Sequence, residues 1–199
     1  MTNAKGPRAE HSEFVIRHPT LALSPIVLHL PRPLMLKTNE IFARLPEPVT
    51  GQIFDYLTKE QPNLIAILVD TLAREQKLRP VFVQRKSEAD RRTWIKAGLG
   101  KARHAGDAAH LLQIWLVGAQ AKLLCDFLDG LGIPHDENGT IEDLPAAPEK
   151  AKLAEAVDKL FTTHDPATIA VYLHAFQATD ENGWSSLEEL LAEDPRLKL

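Results

Sequence analysis

A chain of 199 residues that is 44% hydrophobic, 25% charged and only 6% aromatic has the make-up of an ordinary globular protein, which excludes collagen-like, disulfide-scaffold and wholly disordered classes. One domain of this length, or two small ones packed together, buries roughly 70% of the unfolded chain's surface and needs no covalent staple. The formal net charge of −4 hides an asymmetry: residues 1–73 carry seven basic and seven acidic side chains, 74–103 ten and three, and 104–199 six and seventeen, giving 0, +7 and −11.

Residues 1–36 read as an extended, Pro-rich arm. Pro7, Pro19, Pro25, Pro31 and Pro33 each remove a backbone donor and fix φ, so no long helix passes through. Between them Phe14 and Ile16, Leu21 and Leu23, and Ile26, Leu28 and Leu30 alternate at period two, which suits short extended pieces laid over the rest of the protein or over a second subunit. Met1 to Glu10 is charged but is not followed by the apolar core of a signal peptide.

From residue 37 helical signals dominate. Pro48 opens a helix carrying Val49, Ile53, Tyr56 and Leu57, and Pro62 opens the next with Leu64, Ile65, Leu68 and Leu72, because proline at the first helical position loses no hydrogen bond. Pro80 is expected to stop that second helix. Ser87-Glu88-Ala89-Asp90 matches a capping pattern for a further helix ending at Gly98 or Gly100. Asp107 then precedes a stretch to Leu131 that is apolar nearly all round, the pattern of one central buried helix. Its apolar run from Leu111 to Ala121 is broken by Gln113 and Gln120 and falls short of the ~20 residues that cross a bilayer.

The C-terminal half continues in kind. Pro148 opens a helix with Leu153, Val157, Leu160 and Phe161 on one face; Asp165-Pro166 starts another with Ile169, Tyr172, Leu173 and Phe176; Ser186-Leu187-Glu188-Glu189 caps a last short one. The fold class expected is all-α, a compact multi-helix bundle with an extended arm: arm 1–36, helical core domain 37–131, and a C-terminal helical subdomain 132–199 packed on that core. Asp136-Glu137-Asn138-Gly139 recurs 44 residues later as Asp180-Glu181-Asn182-Gly183, which fits either a duplicated unit or simply good turn chemistry. As calcium loops both copies lack the first ligand, with Pro134 and Ala178 in its place.

Few residues carry chemistry. Cys125 has no partner cysteine for a disulfide or a thiolate metal site, which points to a reducing, cytoplasmic setting, and its apolar surroundings suit a core residue. Asp107 reads as a helix N-cap with His110 in the first turn, and His104 and His110, six apart, face different sides. His174 falls opposite its helix's apolar stripe and is expected to be solvated. Two dipeptides, His135-Asp136 and His164-Asp165, resemble the pattern of the metal-dependent HD phosphohydrolases. The resemblance implies a divalent metal that activates water, with His110, His135-Asp136 and Asp180 as its ligands. Against it, Pro134 to Gly139 reads as a loop where that family has a helix, and Asp165 before Pro166 reads as an N-cap.

The basic segment 74–103 is the most informative polar feature. Phe82 and Trp94 lie among its ten cations, and Arg85, Lys86, Arg91, Arg92, Trp94 and Lys96 form the candidate interaction patch. Three uses follow from it: docking on the chain's own acidic half, binding a protein partner, or neutralising nucleic-acid phosphates with an aromatic to stack a base. The expected function is a non-catalytic helical protein acting through protein contacts or self-association. A nucleic-acid-associated protein and an HD-type hydrolase are the alternatives. No catalytic residue, cofactor, metal site or membrane partner is assigned.

Overall fold

The computed structural model describes residues 35–141, 143, 145–179 and 183–199. The arm predicted over 1–36 lies outside the described residues except for Met35 and Leu36, and so does the Asp180-Glu181-Asn182 turn. The protein is all-α. Its helices are α1 (Thr38–Arg44), α2 (Glu47–Glu60), α3 (Pro62–Glu75), α4 (Pro80–Gln84), α5 (Glu88–Leu99), α6 (Ala105–Ala119), α7 (Ala121–Leu131), α8 (Lys150–Leu160), α9 (Pro166–Thr179) and α10 (Ser185–Glu193), with single 3-10 turns at Ala102–His104 and Pro195–Leu197. No strand occurs among the described residues.

The short helix α1 packs on α5, α6 and α9, and its Ile41 and Phe42 are fully buried. Around it α2 lies on α3 and α6, while α7, α8, α9 and α10 build a second cluster of contacts. That cluster is centred on Phe127, whose ring meets Tyr172 at 5.4 Å and Phe176 at 5.7 Å between centroids, both edge to face. Trp184 closes it, and its indole N–H donates to the Pro145 carbonyl at 2.9 Å, so a large apolar ring is buried without stranding its donor.

Most helix starts follow the local chemistry. Pro62 and Pro166 open α3 and α9, and Pro48 sits in the first turn of α2. The Ser87 hydroxyl accepts the Asp90 N–H, and one Asp165 carboxylate oxygen accepts both the N–H and the hydroxyl of Thr168. Besides α6, which starts at Ala105 rather than after Asp107, two starts differ from expectation. Helix α8 begins at Lys150 behind Glu149 rather than at Pro148, and α10 begins at Ser185 behind Trp184, leaving the Ser186 hydroxyl buried with no partner rather than capping.

The single helix expected from Asp107 to Leu131 is two helices, α6 and α7, bent by 84° at Gln120. The all-round apolarity has a different cause from the one expected. Each piece buries its own stripe, Leu111, Leu112 and Trp115 in one and Leu123, Phe127 and Leu131 in the other, and the bend turns the second stripe onto α8. Gly118, just before the break, lies against the Tyr56 hydroxyl of α2 where a Cβ would collide. No single described helix is long and apolar enough to cross a membrane.

Candidate interaction face

The face begins where α3 stops. Pro80 does not end that helix; it opens α4, and α3 ends at Glu75. Lys77 takes φ 55°, the left-handed region, while its N–H bonds the Arg74 carbonyl at 3.0 Å and the Leu78 N–H bonds the Ala73 carbonyl at 2.8 Å. This is a Schellman closure with lysine in the place glycine usually takes. After it the short helix α4 packs back on α3 and forms a knuckle. Val83 is fully buried and anchors the knuckle, so its neighbours Val81 and Phe82 point outward.

Phe82 is 55% exposed, Val81 43% and Leu78 39%. Covering the open part of the Phe82 ring on contact is worth about 2–3 kcal/mol. Lys77, Arg79, Arg85 and Lys86 are exposed around this apolar tip, and among the described residues none of them, nor the half-buried Arg91, has a carboxylate within ion-pair reach.

The other three residues of the sequence-derived patch are occupied inside the fold. Arg92 lies over Gly51 and binds both Asp55 and Glu88; burial works against its charge, yet the two carboxylates hold its pKa above the ordinary value. The Lys96 ammonium donates to the Leu45 carbonyl at 2.6 Å, closing the end of α1. Trp94 is half-buried against the core, and its indole N–H donates to the Gln76 side chain at 3.0 Å. Arg85, Lys86 and Arg91 remain, joined by Leu78, Val81 and Phe82.

The expected docking of the basic segment on the acidic half does not occur among the described residues. The cations of 74–103 that form ion pairs use Asp70, Asp55, Glu88 and Glu75, none of which lies beyond residue 103. Packing explains this, because α4 and α5 rest chiefly on α1, α2 and α3. The acidic half pairs with its own cations instead: Lys150 with Glu193 at 2.7 Å, Lys159 with Glu155 at 2.8 Å, and Arg196 with Asp158 at 2.7 Å and Asp194 at 2.6 Å.

The remaining polar candidates have local roles. His104 is 3% exposed and places its two ring nitrogens 2.9 Å from Asp107 and 2.9 Å from Glu75, tying the end of α3 to the start of α6. Asp107 is therefore a first-turn partner of His104 rather than an N-cap, since α6 starts two residues earlier. The bond from His104, reinforced by Arg103, holds the Glu75 carboxyl below the usual range. His110 is exposed beside Thr71 and Ile67, whereas His135 meets Asp129 at 3.3 Å and His164 meets Asp126 at 2.7 Å. Of the four residues of the His-Asp pattern, Asp180 lies outside the described residues. No three His, Cys, Asp or Glu side chains gather around a common point among the described residues.

In the first Asp-Glu-Asn-Gly turn one Asp136 oxygen accepts the N–H groups of Asn138 and Thr140, and Gly139 takes φ 72°. This is turn chemistry. Cys125 is half-buried, with its thiol 3.6 Å from the Glu137 carbonyl, and burial pushes its pKa up. No protein-family model, curated protein or solved structure matches the chain.

Proposed function

We propose that this chain is a non-catalytic helical protein that acts through protein contacts, and that the α4 knuckle is its contact face. The observation that carries the reading is the apolar tip of Leu78, Val81 and Phe82 set among Lys77, Arg79, Arg85 and Lys86, cations without a carboxylate partner among the described residues. An apolar centre with a charged rim is the usual anatomy of a docking surface. The complement is acidic and partly apolar. Residues 104–199 of a second copy, at −11, supply such a surface, so self-association is the first contact to examine.

Sedimentation velocity of the full chain over a range of concentration and salt tests this. Association that weakens as salt rises, and that is lost in Phe82→Ala and in Arg85→Glu/Lys86→Glu, supports the reading. A chain that stays monomeric under all conditions refutes self-association. The placement of Phe82 among cations also supports a second reading, binding of single-stranded nucleic acid. Fluorescence anisotropy with a labelled oligonucleotide separates the two: tight binding at physiological salt, falling steeply with added salt and abolished by the same variants, makes that reading primary.

A further inference from the structure

Residues of α1, α9 and α10, with the segments at Met35–Leu36 and Lys198–Leu199, line a cleft of about 330 Å³, within the range of small-ligand sites. Its polar groups are unusual in what they lack. Gln177 of α9 is 4% exposed, and its amide orientation is fixed because Oε1 accepts the Trp184 backbone N–H at 3.1 Å. The amide nitrogen has only the Met35 thioether sulfur as a partner among the described residues, at 3.1 Å. A thioether is a weak acceptor, so among the described residues this buried two-proton donor is only weakly matched at the cleft wall.

Two charges stand on the same cleft without neutralising each other. Arg44, in the last turn of α1, and Glu188, in the first turn of α10, both line it, yet they form no ion pair with one another or with any described residue. The other cation on the wall, Lys198, is committed to the Leu191 carbonyl at 2.9 Å. His174 donates its Nε2 proton to the Leu197 carbonyl at 3.0 Å, which leaves Nδ1 as an acceptor in the neutral ring. Leu36 and Leu191 supply apolar wall.

We propose that this cleft binds a small zwitterion with an apolar side group, of which an apolar α-amino acid is the simplest case. The carboxylate takes the Arg44 guanidinium and the Gln177 amide, the ammonium takes Glu188, and the side group lies on Leu36 and Leu191. A molecule with only one of the two charges leaves one wall unpaired. The site is independent of the knuckle and of the function proposed for it.

The test titrates the nitrogen-15-labelled full chain with L-leucine and follows the Gln177 side-chain amide by NMR. Isocaproate, which lacks the ammonium, and isoamylamine, which lacks the carboxylate, are titrated in parallel. The expected result is a saturable shift at about millimolar L-leucine, with binding of each truncated probe weaker by roughly tenfold or more. Arg44→Ala and Glu188→Gln should each weaken L-leucine by a similar factor while leaving the melting temperature unchanged, which shows the variants to be folded. A Gln177 amide unmoved up to the solubility of L-leucine overturns the proposal. So does isocaproate binding as tightly as L-leucine, or a folded Arg44→Ala variant that binds like the wild type.

Discussion

The same chemical change, Phe→Ala, should have opposite consequences at two positions. Phe127 is fully buried and has three aromatic neighbours, Tyr172 at 5.4 Å, Phe176 at 5.7 Å and Trp184 at 6.3 Å. Deleting the ring removes its burial and leaves a cavity that rigid neighbours fill poorly, a loss of about 3–5 kcal/mol. The edge-to-face pairs, at about 0.5–1.5 kcal/mol each, place the expectation in the upper part of that range. For a domain of this size the loss lowers the melting temperature by about 6–20 °C. Phe82, 55% exposed, should cost less than about 0.5 kcal/mol when truncated, because little packing is lost. Urea denaturation followed by tryptophan fluorescence and by far-ultraviolet circular dichroism reads both. Equal midpoints for the two variants would refute the assignment of one ring to the core and the other to the contact face. Loss of association in Phe82→Ala with stability intact ties its exposure to binding.

Three further outcomes are expected. Replacing Asp165 by Ala should cost about 0.5–2 kcal/mol in the same denaturation assay, because its carboxylate serves both the N–H and the hydroxyl of Thr168 at the start of α9. Gly139→Ala should destabilise by about 1 kcal/mol or more, since φ is 72° there and a Cβ would meet Leu124 and the Cys125 backbone; a neutral effect would refute the turn geometry. Burial holds the His174 pKa below its ordinary 6.5, so the unfolded chain binds this proton first and stability is lost as pH falls through 6.5 toward the depressed value. Urea midpoints at about pH 7.5 and about pH 5.5 should therefore differ less in His174→Gln than in the wild type.

The class and most helix starts were legible because they rest on local chemistry that the sequence displays, as at Pro62, Ser87 and Asp165. Two breaks were not. Lys77 occupies a left-handed closure that glycine normally announces, so the end of α3 carries no visible signal in the sequence, which predicts a helix running on to Pro80. Gln120 has no breaking propensity of its own; the bend there is imposed by α7 finding α8 and by Gly118 meeting Tyr56, contacts that are distant in sequence. The basic patch was visible as composition, but composition does not separate Arg92 and Lys96, which serve the fold, from Arg85 and Lys86, which face solvent. The cleft had no signature at all. Helix α9 is buried nearly all round, so neither His174 nor Gln177 stood out, and His174, expected in solvent, is half-buried on the Leu197 carbonyl.

The knuckle's attachment has a dynamic consequence. Helix α4 is five residues long, too short to be stable alone, and it rests mainly on α3 through one fully buried side chain, Val83. Its amides should exchange with solvent by local opening, at far less free energy than the global unfolding that releases the amides around Phe127. A contact face built on such an element can reshape itself against a partner without disturbing the core. Hydrogen exchange at Val81 to Gln84 would then slow on binding while the rest of the bundle keeps its protection, giving a local signature of the engaged state.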